Sequence, residues 1–98
     1  LLVLPSEAEG FPMALVEAMA SGVAVIGADS PGIRDVIRHA HTGVLVPPRS
    51  PTALARAIAD LAADRDRRSS LAAGGREEVL RHYTWARVIP MYRALLGV

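Results

Sequence analysis

Pro5-Ser-Glu-Ala-Glu-Gly-Phe-Pro-Met-Ala-Leu-Val-Glu-Ala-Met-Ala-Ser-Gly22 is the stretch from which the rest of this chain is best understood. The apolar run at residues 1–4 leads into it, short and β-permissive, as a buried parallel strand would be. The polar residues 6–10 break that pattern. From Phe11 onward, Leu15, Ala18 and Met19 recur at helical spacing, which predicts a helix over residues 11–21. Gly22 stands where a helix commonly ends on a left-handed residue. Strand, loop and helix in this order put the loop at the carboxyl edge of a sheet. The free N–H groups of the helix start then face outward.

That geometry suits an anion. The first four N–H groups of a helix lack intrahelical acceptors, and the helix dipole favours negative charge beside them. Two carboxylates frame the place: Glu9 in the loop and Glu17 just over one turn into the helix. A carboxylate accepts at two oxygens and so can hold a pair of vicinal hydroxyls. Such charge-assisted bonds contribute about 1.5–3 kcal/mol each when desolvated. Phosphates at the helix tip with diols on either side describe a nucleotide sugar. Two glutamates near a helix start equally describe an ordinary solvated surface, and the residues alone leave both readings open.

Further along, residues 23–27 form a second short β-branched run between glycines, again strand-like. Residues 28–32 are rich in turn formers. A short helix is expected over residues 33–39, with Ile33, Val36 and Ile37 on one face, and a third strand over residues 43–46. Pro47, Pro48 and Pro51 then forbid regular pairing. A helix opens at Pro51 or Thr52 and runs to about Asp64, with Leu54, Ile58 and Leu61 on one side. Residues 65–82 predict another helix, interrupted or kinked at Gly74-Gly75. Its basic start, Arg65, Arg67 and Arg68, is expected to be a solvated face. Thr84 can cap a last helix over residues 85–96, with a kink at Pro90. Strands alternating with helices imply an α/β fold with a parallel sheet and right-handed crossovers. Three strands followed by helices fit the second half of a Rossmann-like unit.

Composition sets the outer bounds. Ninety-eight residues make one domain at most. Hydrophobic residues are 51% of the chain, but aromatics amount to one Trp, two Tyr and one Phe, so Ala and Leu must fill the core. Eleven basic and ten acidic residues give a net charge of +1, which makes no electrostatic case for nucleic acid. Cysteine is absent, so disulfides and thiolate metal sites are excluded. His39 and His41 lack further ligands at fitting spacing, and no metal site is expected. No apolar run approaches the roughly 20 residues of a membrane-spanning helix. The opening Leu-Leu-Val-Leu has neither Met nor a basic n-region; it looks like the middle of a strand, and the chain is expected to be a piece of a longer one.

Glu9-Gly10-Phe11-Pro12 followed by Glu17-Ala18-Met19-Ala20 resembles the E-x(7)-E signature of retaining GT-B-type glycosyltransferases, the family often called group 1 or family 4. The resemblance extends to Pro5-Ser6, to residues 22–27, to Pro31-Gly32-Ile33-Arg34-Asp35, to residues 43–47, and to Gly75-Arg76-Glu77 and Tyr83-Thr84-Trp85 near the end. E-x(7)-E alone is weakly specific; six blocks in the right order are strong. Asp35 departs from the pattern, standing where the family commonly has Glu.

The resemblance implies that residues 1–98 are the C-terminal part of a donor-binding domain, the second half of the C-terminal Rossmann-like domain of a GT-B fold, ending in helices. Glu9 would contact the donor sugar and is the expected catalytic residue. Glu17 would hold the nucleotide ribose. Gly10, Phe11 and Pro12 would shape the loop around the sugar, and the backbone N–H groups of Ala14, Leu15 and Val16 would face the diphosphate. The donor would be a nucleoside-diphosphate sugar, with no other cofactor and no metal. The acceptor, a carbohydrate or a lipid, would bind an N-terminal domain of the same chain that these residues do not include. The family's diphosphate-holding Arg and Lys also fall outside them. Placement would be cytoplasmic, or peripheral at the membrane through that N-terminal domain. A non-catalytic sugar-nucleotide-binding module and a GT-B-like sugar-nucleotide epimerase are the alternative readings.

Overall fold

A computed structural model describes residues 1–5, 12–82, 90, 93 and 97. Three strands form one parallel sheet in the order β1-β2-β3: β1 (Leu2–Leu4), β2 (Val25–Ala28) and β3 (Val44–Val46). Leu4 pairs with Gly27, and Ala28 pairs with Val46. The helices are α1 (Met13–Ala20), α2 (Pro31–Arg34), α3 (Pro51–Ala63) and α4 (Arg65–His82). The alternation of strands and helices is the expected Rossmann-like pattern. β2 is the central strand and all four of its residues are buried.

Period-two alternation divides the sheet between two cores. Leu2, Leu4, Val25 and Leu45 pack on one side with Leu15, Val16 and Met19 of α1 and Ile33 of α2. Val3, Ile26, Val44 and Val46 face the other side, with Leu61 of α3. α4 belongs to both: Leu71 lies in the second core and Val79 in the first. The helix therefore crosses from one layer to the other. It crosses over the turn that precedes β3, where Gly74 and Gly75 lie against the backbone of His41 and Thr42.

That crossing corrects the expectation of a break at the glycine pair. α4 is continuous from Arg65 to His82. A side chain on Gly74 would overlap the His41 carbonyl, and a Cβ on Gly75 would lie 2.9 Å from the Thr42 carbonyl oxygen. The two glycines buy a close approach of helix to turn, not a bend.

Other boundaries move for local reasons. α1 ends in a Schellman arrangement: Gly22, at φ 76°, donates its N–H to the Met19 carbonyl, and Val23 donates to that of Ala18. Val23 thus belongs to the cap, and β2 starts at Val25. α2 begins earlier than expected because Ser30-Pro31 supplies an extended N-cap residue and a proline at the first helical position. It also ends earlier. The Arg38 N–H bonds to Thr42 Oγ1 at 2.8 Å instead of to a helical carbonyl. Asp35 is therefore the C-cap of α2.

α3 starts at Pro51, with Ser50 Oγ accepting from the Ala53 N–H at 3.3 Å. Asp64 joins α3 to α4, its carboxylate accepting from the Arg67 N–H at 3.0 Å. Arg68 corrects the view of the basic start as a plain solvated face. Its guanidinium donates to the carbonyls of Leu61 and Ala62 at 2.7 and 2.6 Å, satisfying the end of α3. The expected helix over residues 85–96 falls largely outside the described residues.

Candidate functional site at the carboxyl edge of the sheet

β1 ends at Leu4, and α1 returns from Met13 to pack against β1 and β2. The end of β1 and the start of α1 therefore lie at the carboxyl edge, where ligands bind in open α/β sheets. Pro12, at φ −82° and ψ 81°, is the residue before the helix, and it is buried. Its carbonyl accepts from the Val16 N–H at 3.3 Å. The Val16 amide is thus already engaged within the helix. For Ala14 and Leu15 the residues four back are Gly10 and Phe11, so their amides belong to the helix start, where N–H groups seek partners outside.

α1 has two distinct sides. Leu15 and Met19 are fully buried and Val16 nearly so, which fixes the helix on the sheet. Ala14 and Glu17, three residues apart, are exposed on the outer side. Glu17 is thus an exposed residue one turn from the helix start. Glu9, Gly10 and Phe11, the remaining residues of the expected site, lie outside the described residues.

The carboxyl edge holds features that the motif did not indicate. The Asp29 N–H donates to the Val46 carbonyl at 2.7 Å, extending the β2–β3 ladder by one bond. The Asp29 carboxylate accepts from Arg34 Nε at 2.8 Å. Ser30 follows, 2% exposed. A cleft of about 120 Å³ opens between the ends of β1 and β3 and the start of α3, lined by Pro5, Val46, Pro47, Arg49, Ser50, Pro51 and Leu54. Ligand pockets for molecules of nucleotide-sugar size occupy roughly 300–1,000 Å³. The cleft is too small to hold such a donor by itself. Ser30-Pro31, an N-cap residue before a proline, was the sequence signal for a helix start here, and the expectation of a loop over residues 28–32 missed it.

Of the histidines, His39 accepts at Nδ1 from the Leu45 N–H at 3.0 Å, a bond that ties the α2–β3 turn to the sheet. Among the described residues no group of three or more His, Cys, Asp or Glu side chains could hold a metal ion. No helix among them is long and apolar enough to cross a membrane.

Comparison with known proteins shows the family. A family model described as "Glycosyl transferases group 1" matches residues 1–78. A GDP-mannose-dependent alpha-(1-6)-phosphatidylinositol monomannoside mannosyltransferase of Mycobacterium tuberculosis is 39% identical over 79 residues, covering 81% of this chain and 20% of that protein. Sucrose-phosphate synthase from Thermosynechococcus elongatus superimposes with a TM-score of 0.82 at 35% identity, over 98% of this chain and 25% of its own. The C-terminal domain of a glycosyl transferase group 1 family protein from Francisella tularensis superimposes with a TM-score of 0.78 at 32% identity, over 86% of this chain and 44% of its own. The chain thus spans about a fifth of the length of the mannosyltransferase and a quarter of the synthase.

Proposed function

The chain belongs to the group 1 glycosyl transferases, and on that premise we propose that it forms the donor-binding part of a retaining enzyme. That enzyme would transfer a sugar from a nucleoside diphosphate to an acceptor. The observation that carries this reading is the pairing of the β1 end with the α1 start at the carboxyl edge. There α1 starts at a buried Pro12 and Glu17 stands exposed one turn on. The Mycobacterium tuberculosis relative is named for its dependence on GDP-mannose, which supports a nucleotide-sugar donor.

In this reading the diphosphate sits at the start of α1, with the Ala14 and Leu15 amides and the helix dipole facing its charge. Glu17 accepts hydrogen bonds from the ribose hydroxyls. Glu9 accepts from hydroxyls of the donor sugar and sets its orientation. Gly10, Phe11 and Pro12 form the wall of the loop. The acceptor, and the basic side chains that complete neutralisation of the leaving diphosphate, come from other parts of a longer chain. Metal is not required, because the helix start and those basic groups carry the neutralisation.

A panel of UDP-, GDP- and ADP-sugars, tested for binding, hydrolysis and transfer on the full-length enzyme, tests the proposal. One nucleotide should bind in preference and its sugar should be transferred with the anomeric configuration kept. Failure of every nucleotide sugar to bind would refute the donor site. Binding without hydrolysis or transfer would make the chain a non-catalytic module.

A further inference from the structure

Asp29 follows the last residue of β2 and is held to the last residue of β3, its N–H donating to the Val46 carbonyl at 2.7 Å. It therefore stands at the carboxyl edge, at the end of the central strand. Open α/β sheets bind ligands at that edge. Arg34, the last residue of α2, folds back onto it. Arg34 Nε donates to Asp29 Oδ1 at 2.8 Å, and Arg34 Nη2 donates to the Asp29 carbonyl at 3.3 Å. The guanidinium is thus held at two points, on a residue whose own backbone is fixed by the sheet. Both side chains remain open to solvent, Asp29 at 46% and Arg34 at 57% exposure. The pair is accessible and already oriented, so little ordering is needed when a ligand binds it.

The atoms left over define what it can bind. A carboxylate accepts at two oxygens, and a guanidinium only donates. Among the described residues Asp29 Oδ2 and Arg34 Nη1 make no hydrogen bond. An anion is a poor match, because the carboxylate beside the guanidinium offsets its charge and would repel the ligand. A metal ion is a poor match too, since among the described residues no group of three or more His, Cys, Asp or Glu could hold one. A neutral vicinal diol fits both members. One hydroxyl donates to the carboxylate while its neighbour accepts from the guanidinium. Carbohydrates are dense in such diols.

We propose that Asp29 and Arg34 form a diol-binding pair for a carbohydrate acceptor, Asp29 accepting from one hydroxyl and Arg34 donating to the next. The inference rests on the glycosyl-transfer reading above. It adds to an acceptor site formed mainly elsewhere in a longer chain a contact made by this part.

The test uses the full-length enzyme with the nucleotide sugar preferred in the panel. Methyl α-D-glucopyranoside, methyl α-D-mannopyranoside and myo-inositol serve as acceptors for wild type, Asp29→Asn and Arg34→Gln. An exposed ion pair contributes little to stability, so both variants are expected to fold. Two quantities are read: the KM for the accepted polyol and the Kd for the donor. The expected result is transfer to at least one polyol, with its KM raised roughly tenfold in each variant and the donor Kd as in wild type. An unchanged KM in both variants overturns the inference and leaves the donor site standing. A donor Kd raised as much as the KM also overturns it, since the pair then serves the donor. Donor binding by wild type with transfer to none of the three polyols overturns it as well. Failure of wild type to bind any nucleotide sugar overturns the reading beneath it.

Discussion

Gly74 in the middle of α4 lies directly against the carbonyl oxygen of His41, so closely that a methyl group on the glycine would overlap that oxygen. The contact is where α4 passes from one face of the sheet to the other, over the turn before β3. It sits at the amino edge of the sheet, opposite the candidate site. The sheet is thus closed at one edge by a helix crossing and left for ligands at the other.

Two effects oppose each other in Gly74→Ala. Alanine improves helix propensity by about 1 kcal/mol. Overpacking costs about 1–3 kcal/mol, and here the obstacle is backbone, which no rotamer change can remove. The expected net effect is a loss of up to about 2 kcal/mol, at roughly 4–8 °C in melting temperature for each kcal/mol in a chain of this size. Calorimetry on the variant checks it; a raised melting temperature would show that the crossing is looser than described.

Thr42 is expected to be more sensitive than its position in a turn suggests. It is 6% exposed, and its Oγ1 accepts the Arg38 N–H that α2 leaves behind. Thr42→Val keeps the shape and removes the acceptor, leaving a part-buried amide unpaired at a cost of about 1–3 kcal/mol. Thr42→Ser retains the bond and should lose less. Urea unfolding midpoints for the pair decide it, and equal midpoints for Val and wild type would exclude the bond as a stabilising contact.

Most of the architecture was legible because it depends on short-range patterns. Three apolar runs separated by helical periodicities lead to three parallel strands, and Gly22 marks a helix end that is found there. What escaped depended on contacts distant in sequence. The glycine pair of α4 looks like a break until His41 is brought against it. Arg68 looks like surface charge until its guanidinium meets the α3 carbonyls. Ser30 looks like a loop residue until the sheet buries it. Within the candidate site, Glu17 and the α1 start were placed by the motif's spacing. Nothing in that spacing pointed to the carboxyl end of β2.

Glu9 should separate turnover from affinity. As an acceptor for the donor sugar's hydroxyls it orients the reacting centre, and misplacement there is costly, roughly a hundredfold. Glu9→Gln in the full-length enzyme should lower kcat on that order while the Kd for free nucleotide stays near wild type. Turnover close to wild type would remove Glu9 from the chemistry. A matching loss of nucleotide affinity would move it to the nucleotide.

Glu17 bears most directly on the claim that α1 presents its start to a nucleoside diphosphate. Glu17 is an exposed residue on the outer side of the helix, while Leu15 and Met19 anchor the opposite side in the core. Glu17→Ala should therefore leave the fold intact and remove the acceptor for the ribose hydroxyls. The measurement is the Kd of the full-length enzyme for the free nucleoside diphosphate, by calorimetric titration of wild type and Glu17→Ala. The account predicts weakening by about 1.5–3 kcal/mol, roughly 10- to 150-fold, for free nucleotide and intact donor alike. Equal affinity of the two proteins for the free nucleotide would contradict it.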